Sequence, residues 1–159
     1  MAIPSSLKTY LAKSKLKAKA IKHEVAYTAQ EIAAAAHVPG KQVVKCVVVK
    51  SEKGYFLAAL PAIHLIDFTK LKKLAKVKKA SLASEKEIEK LVPGSQVGAM
   101  PPFGPLYNLP VYVDKALADD EEIVVNAGTH TDLLKLRYAD FVKAIKPKVG
   151  PFGKPIPNK

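Results

Sequence analysis

Residues 43–60 read VVKCVVVKSEKGYFLAAL, and the fold class follows from them. Val43 to Val49 is a near-continuous β-branched run, and branched Cβ atoms pack well on a pleated strand while losing rotamer freedom in a helix. Ser51 to Gly54 interrupts it with turn residues, and Tyr55 to Leu60 resumes it as the expected hairpin partner. Side chains alternate along a strand, so Val43, Val47 and Val49 share one face and Val44, Cys46 and Val48 the other; both faces are apolar. Lys45 lies on the first of these faces. A lysine in a strand covered on both sides is costly unless its ammonium reaches water, an anion or a cleft. Lys45 is therefore a candidate for holding a phosphate or a negatively charged transition state, and a side chain that snorkels past the sheet edge explains it equally well.

Outward from this hairpin, helices and strands alternate. The N-terminal side gives a helix over Ser5 to Ser14, a strand over Ala18 to Val25 and a helix from Thr28 to Ala36, with Thr28 and Glu31 in capping-box spacing and a stop at Pro39-Gly40. The C-terminal side gives a Lys-rich helix over Thr69 to Ala75, a strand near Lys79 to Ala83 and a capped helix over Ser84 to Leu91. A Gly/Pro-dense stretch follows, from Val97 to Pro110. Beyond it come strands over Val111 to Asp114, Ile123 to Asn126 and Leu133 to Leu136, then a helix over Tyr138 to Ile145. The expected architecture is a compact α+β domain over residues 1–146, with a mixed, largely antiparallel central sheet flanked by helices. Residues 147–159, rich in Pro and Lys, read as a loose extension.

The chain has 159 residues, 48% hydrophobic and 25% charged, which fits one globular domain and excludes disordered, collagen-like and disulfide-scaffold classes. No apolar stretch approaches the roughly 18 to 20 residues of a membrane span, and the N-terminus lacks a signal-peptide core. A lone cysteine, Cys46, fits a reducing cytoplasm. The formal net charge of +12 attracts polyanions, and Arg137 is the single arginine among 26 basic residues. Lysine is a mobile point charge, so contact with backbone phosphates is favoured over base reading. Lys70, Lys72, Lys73, Lys76, Lys78 and Lys79 are candidates for such a grip. Residues 28–45 resemble the start of a helix-turn-helix, but a strand follows where the recognition helix should stand, so DNA is not an expected partner.

Two further segments could carry chemistry. In Gly98-Ala99-Met100-Pro101-Pro102-Phe103-Gly104-Pro105, glycines permit close backbone approach and prolines hold shape, so the loop could present N–H groups to a small ligand with Phe103 as a wall. In Asn126-Ala127-Gly128-Thr129-His130-Thr131-Asp132, His130 could donate to a substrate carbonyl or orient water. His130 and Asp132 lack a third ligand at convincing spacing, so no metal site is expected. His23, His37 and His64 are dispersed and read as structural or exposed. No Gly-x-Ser-x-Gly elbow, Walker loop or dinucleotide fingerprint is present. Asp119 to Glu122 read as a solvated turn, and an apolar strand would keep the Cys46 thiol inert.

In this order, VVKCVVVK, GAMPPFG, VYVD and NAGTHTDLLKL resemble the YbaK and prolyl-tRNA-synthetase editing-domain family over roughly Leu7 to Ile145. The resemblance implies a compact α+β domain that hydrolyses the ester of a mischarged aminoacyl-tRNA without a cofactor, in trans when it stands alone. It implies that Lys45 is the signature strand lysine and that Gly98 with Pro102 is the Gly-x-x-x-Pro pattern bordering the substrate. Ala127-Gly128 matches the small-residue turn lining the aminoacyl pocket. The implied site is then Lys45 and His130 as catalytic residues, with Gly98, Ala99, Met100, Pro101, Pro102, Phe103, Gly104, Asn126, Ala127, Gly128 and Thr129 around the substrate. In this scheme the Lys45 ammonium emerges into a crevice roofed by the Gly/Pro loop. The implied partners are the tRNA acceptor end and an aminoacyl-tRNA synthetase, with no membrane. The late segment departs from the His-Pro-Leu pattern of alanine-clearing members, so it does not fix the amino acid. The alternative is a non-catalytic tRNA- or protein-binding module with the same fold.

Overall fold

The computed structural model describes residues 5–22, 29–93 and 99–155. Gly98, His23 and Thr28, with its cap, lie outside the described residues.

The hairpin forms as expected: β2 (Val44–Ser51) and β3 (Gly54–Pro61) pair antiparallel from Val44 opposite Pro61 to Ser51 opposite Gly54. Gly54 sits at φ 118°, a left-handed conformation that glycine adopts without a Cβ clash. Around the hairpin stand β1 (Ala18–Lys22), β4 (His64–Ile66), β5 (Ala80–Leu82), β6 (Val111–Asp114), β7 (Glu122–Asn126), β8 (Asp132–Arg137), β9 (Lys148–Gly150) and β10 (Gly153–Pro155). The described strands form sheets in the orders β5-β2-β3-β6-β9, β1-β8-β7 and β10-β4. Only β3–β6 and β6–β9 run parallel, so the sheet is mixed and largely antiparallel. A single parallel bridge between Val43 and Val124 joins β2 to β7, and beyond it the two sheets diverge.

Six helices accompany these strands among the described residues: α1 (Ser5–Lys13), α2 (Ala29–Ala36), α3 (Phe68–Ala75), α4 (Glu85–Leu91), α5 (Gly104–Tyr107) and α6 (Tyr138–Ile145). Asp67 caps α3 by accepting from the Lys70 N–H, and Ser84 and Glu87 close a reciprocal capping box on α4. The inward face of the sheets packs Val44, Cys46, Val48, Val113, Val125, Leu134 and Leu136 with Leu7 of α1 and Phe141 of α6. Outside, Ile32 of α2 covers Val43, Val124 and Leu133, while Leu71 of α3 covers Val49, Phe56, Ala58 and Leu60. Alternation in β2 thus feeds two separate layers, and Lys45 is on the outer one. No described helix is long and apolar enough to cross a membrane.

Two expectations need correcting. Residues 148–155 are not a loose extension: β9 extends the main sheet beside β6, β10 pairs with β4, and Phe152 is fully buried among Leu60 and Leu71. The prolines do not oppose this, because Pro155 ends its strand, where a missing N–H is tolerated. The acidic turn is also only partly solvated, since Asp120 is buried and lies 3.5 Å from the Lys41 ammonium.

Candidate functional site

The divergence of β2 from β7 frames the site. Continuing the parallel Val43–Val124 register two residues along each strand places Lys45 and Asn126 on the same outer face, one on each side of the opening left where the strands stop pairing. Lys45 is half-buried, and its ammonium donates to the His64 carbonyl of β4 at 2.5 Å. Burial disfavours the charged amine and lowers its pKa from the ordinary 10.5. The bond is to a carbonyl rather than a carboxylate, and no ion pair to Lys45 is present among the described residues.

His64, read from sequence as structural or exposed, belongs to this arrangement. Its Nδ1 is buried 3.8 Å from Asp114 Oδ2, and neither atom has a hydrogen-bond partner among the described residues. The other Asp114 oxygen accepts from the Phe152 N–H at 3.1 Å, and the Phe152 carbonyl accepts from the Asp67 N–H at 2.7 Å. The segment read as a tail therefore fixes β4, and β4 carries the carbonyl that receives Lys45. Sequence reasoning missed this because each link joins residues distant along the chain.

The two segments singled out as loops do meet. The Gly128 N–H donates to the Ala99 carbonyl at 2.8 Å, joining the Gly/Pro loop to the turn after β7. That bond occupies the Gly128 N–H, which is therefore not available to a ligand. Gly128 adopts φ 95°, which suits glycine at this turn. The turn is locked from within: Thr129 Oγ1 donates to Asp132 Oδ2 at 2.6 Å, accepts from the Thr131 N–H at 3.2 Å, and both Thr129 and Asp132 are buried. Asp132 is thus a fastening for the turn. His130 is partly exposed on it.

The loop is not a roof above Lys45. Met100 and Phe103 pack in the inner core with Val44, Cys46 and Val48, on the strand face opposite Lys45. Phe103 is fully buried, with its ring 5.4 Å from Tyr10 and 6.0 Å from Phe141, so it serves as a core side chain. Pro101, Pro102 and Gly104 are buried as well. A Cβ on Gly104 would run into the Leu109 carbonyl and the Val111 side chain, which accounts for glycine there. Ala127 is buried in the same inner core, whereas Asn126 is only partly buried. What the loop brings toward the turn is its backbone at Ala99.

Burial pushes the Cys46 thiol up to about 12, so a thiolate is scarce at neutral pH. Among the described residues no group of three or more His, Cys, Asp or Glu is arranged to hold a metal ion.

Comparison with known proteins places the fold. Residues 23–144 match the model of the aminoacyl-tRNA editing domain. A proline--tRNA ligase of Xylella fastidiosa is 33% identical over 99 residues, covering 62% of this chain but 17% of the ligase. This chain therefore corresponds to a small part of that relative. Among solved structures, "hypothetical protein APE2540" superposes with a TM-score of 0.85 at 22% identity, covering 94% of this chain and 99% of that one. A protein described as a "putative trans-editing enzyme for prolyl tRNA synthetase" superposes with a TM-score of 0.82 at 24% identity, over 96% and 99% of the two chains. These two likenesses establish the shared fold, and the match over residues 23–144 establishes the family: the chain belongs to the aminoacyl-tRNA editing domain family.

Proposed function

We propose that this protein is a free-standing deacylase that hydrolyses the ester of a mischarged tRNA, namely tRNA-Pro carrying a small amino acid such as alanine or cysteine. The reading is carried by the Lys45 ammonium: half-buried, without an ionic partner among the described residues, on the outer face where β2 parts from β7. Family membership and the proline ligase relative support the choice of tRNA.

An aminoacyl ester is intrinsically labile, so its hydrolysis requires little beyond a positioned water, oriented donors for the developing oxyanion and a pocket of the right size. In the proposed mechanism Lys45 holds the phosphate or ribose of the terminal adenosine. The Ala99 N–H and backbone N–H groups of the turn at 126–130, other than that of Gly128, face the ester carbonyl. The substrate's ribose hydroxyl helps to activate water. His130 is a secondary pocket residue, and Asn126 contacts the substrate from the β7 rim. Water attacks the ester carbon, the tetrahedral oxyanion collapses, and the ribose oxygen leaves with a proton. The products are free amino acid and tRNA, with no covalent enzyme intermediate. The raised pKa of Cys46 supports this, since it removes the chain's one thiol as a nucleophile. A cytoplasmic setting, next to the synthetase that makes the error, follows from the same reading.

The test is release of amino acid from tRNA-Pro charged with alanine, cysteine, serine or proline. Alanyl or cysteinyl ester should disappear at least tenfold faster than prolyl ester. Tight tRNA binding with no release of any amino acid would instead establish a non-catalytic binding module.

A further inference from the structure

A second concentration of positive charge stands apart from α3, where the lysine run of the sequence draws attention. Strand register reveals it. Lys19 of β1 stands directly opposite Lys135 of β8, and continuing that antiparallel register places Lys17 opposite Arg137. Like charges directly across a sheet repel, so this ladder is retained against a stability cost. The four cations share one face and line a groove of about 970 Å³ between the end of α1, β1, β8 and α6. Lys15 and Lys143 stand at its margins. Two carboxylates, Glu122 and Asp140, also line it, and Glu122 is engaged by Lys135 at 3.8 Å. The other five cations make no ion pair among the described residues.

The face of the sheet matters as much as the charge. Lys135 is opposite Val124 in β7, and Leu133 is opposite Asn126, so the ladder lies on the same outer face as the Lys45–Asn126 opening. From Arg137 to the row of Asn126 is four residues along β8, roughly 14 Å at strand rise. Successive rungs are about 6.8 Å apart, comparable to the step between neighbouring phosphates on a sugar-phosphate backbone.

We propose that this ladder is the surface that grips the acceptor-stem backbone, upstream of the single-stranded 3′ end that carries the ester. The assignment of the bound polyanion as tRNA rests on the deacylase reading; the ladder itself does not. An RNA backbone is favoured over an anionic membrane because the surface is concave. The exposed large apolar side chains Ile63, Leu65, Leu82 and Val149 also lie outside the groove, where they cannot insert beside it.

The test is equilibrium binding of uncharged tRNA-Pro to the full chain across a salt series. The parent is compared with a triple variant Lys17→Gln, Lys19→Gln, Arg137→Gln and with Lys70→Gln, Lys72→Gln, Lys73→Gln on α3. The ladder side chains substituted are exposed, and circular dichroism checks folding. The ladder variant should reduce the slope of log affinity against log salt by about three and weaken binding more than tenfold at moderate salt, with the α3 variant closer to the parent. The proposal is overturned if the ladder variant matches the parent, if the α3 variant loses as much, or if the parent binds anionic vesicles but not tRNA. Because this assay contains no ester, ladder-dependent binding without deacylation would refute the proposed activity and leave the ladder standing.

Discussion

Replacing Lys45 by alanine should lower kcat/KM for ester hydrolysis by roughly 10²–10³-fold, the scale on which a single preorganised charged donor acts. Affinity for uncharged tRNA should stay within about tenfold, because one cation of many is lost. Stability should change little. The bond to the His64 carbonyl disappears, but so does the burden of burying a charge, and the two oppose each other. The pH profile separates this account from simple misfolding. Burial lowers the pKa of the amine, so a function that needs the cation is complete below that lowered value and falls as pH rises through it. After subtraction of the uncatalysed rate, activity should therefore decline at a pH below the ordinary lysine range. Lys45→Arg keeps its charge throughout that range, so whatever activity it retains should lack the alkaline decline.

Phe152→Ala should destabilise the protein by about 3–5 kcal/mol, the cost of emptying a fully buried aromatic site. For a chain of this size the melting temperature should drop on the order of 10 °C, measured by calorimetry. A residue on a loose extension would change stability by less than about 0.5 kcal/mol. The effect should reach the site as well. Phe152 bonds through its backbone to Asp114 and Asp67, and β10 pairs with the strand that carries the His64 carbonyl. Loosening this segment should thus lower deacylation even in the fraction that remains folded.

Local patterns made most of the fold legible. The valine run, the Ser84–Glu87 capping box and the helix over Tyr138–Ile145 each record their structure within a few residues, and each is present. The tail was obscured because its strands are short and proline-flanked, and because its order comes from distant partners: Asp114, β4 and β6. The same limit applies at the site. Sequence marks Lys45 as anomalous in an apolar strand and marks the two loops as unusual, and the loops do join through Ala99 and Gly128. It does not give the strand face. Met100 and Phe103 answer to the inner core, whereas Lys45, Asn126 and the cation ladder answer to the outer layer, and only register separates the two.

Occupancy of the opening between β2 and β7 by the aminoacyl end of the substrate can be read directly with alanyl-adenosine whose ester is replaced by a non-hydrolysable amide. Titrated into the full chain and followed by nuclear magnetic resonance, it should shift the Lys45 ammonium and the backbone amides of Asn126 to Gly128 together, saturating at one ligand per chain. Saturable binding that leaves Lys45 and those amides unmoved while shifting signals elsewhere would contradict the account.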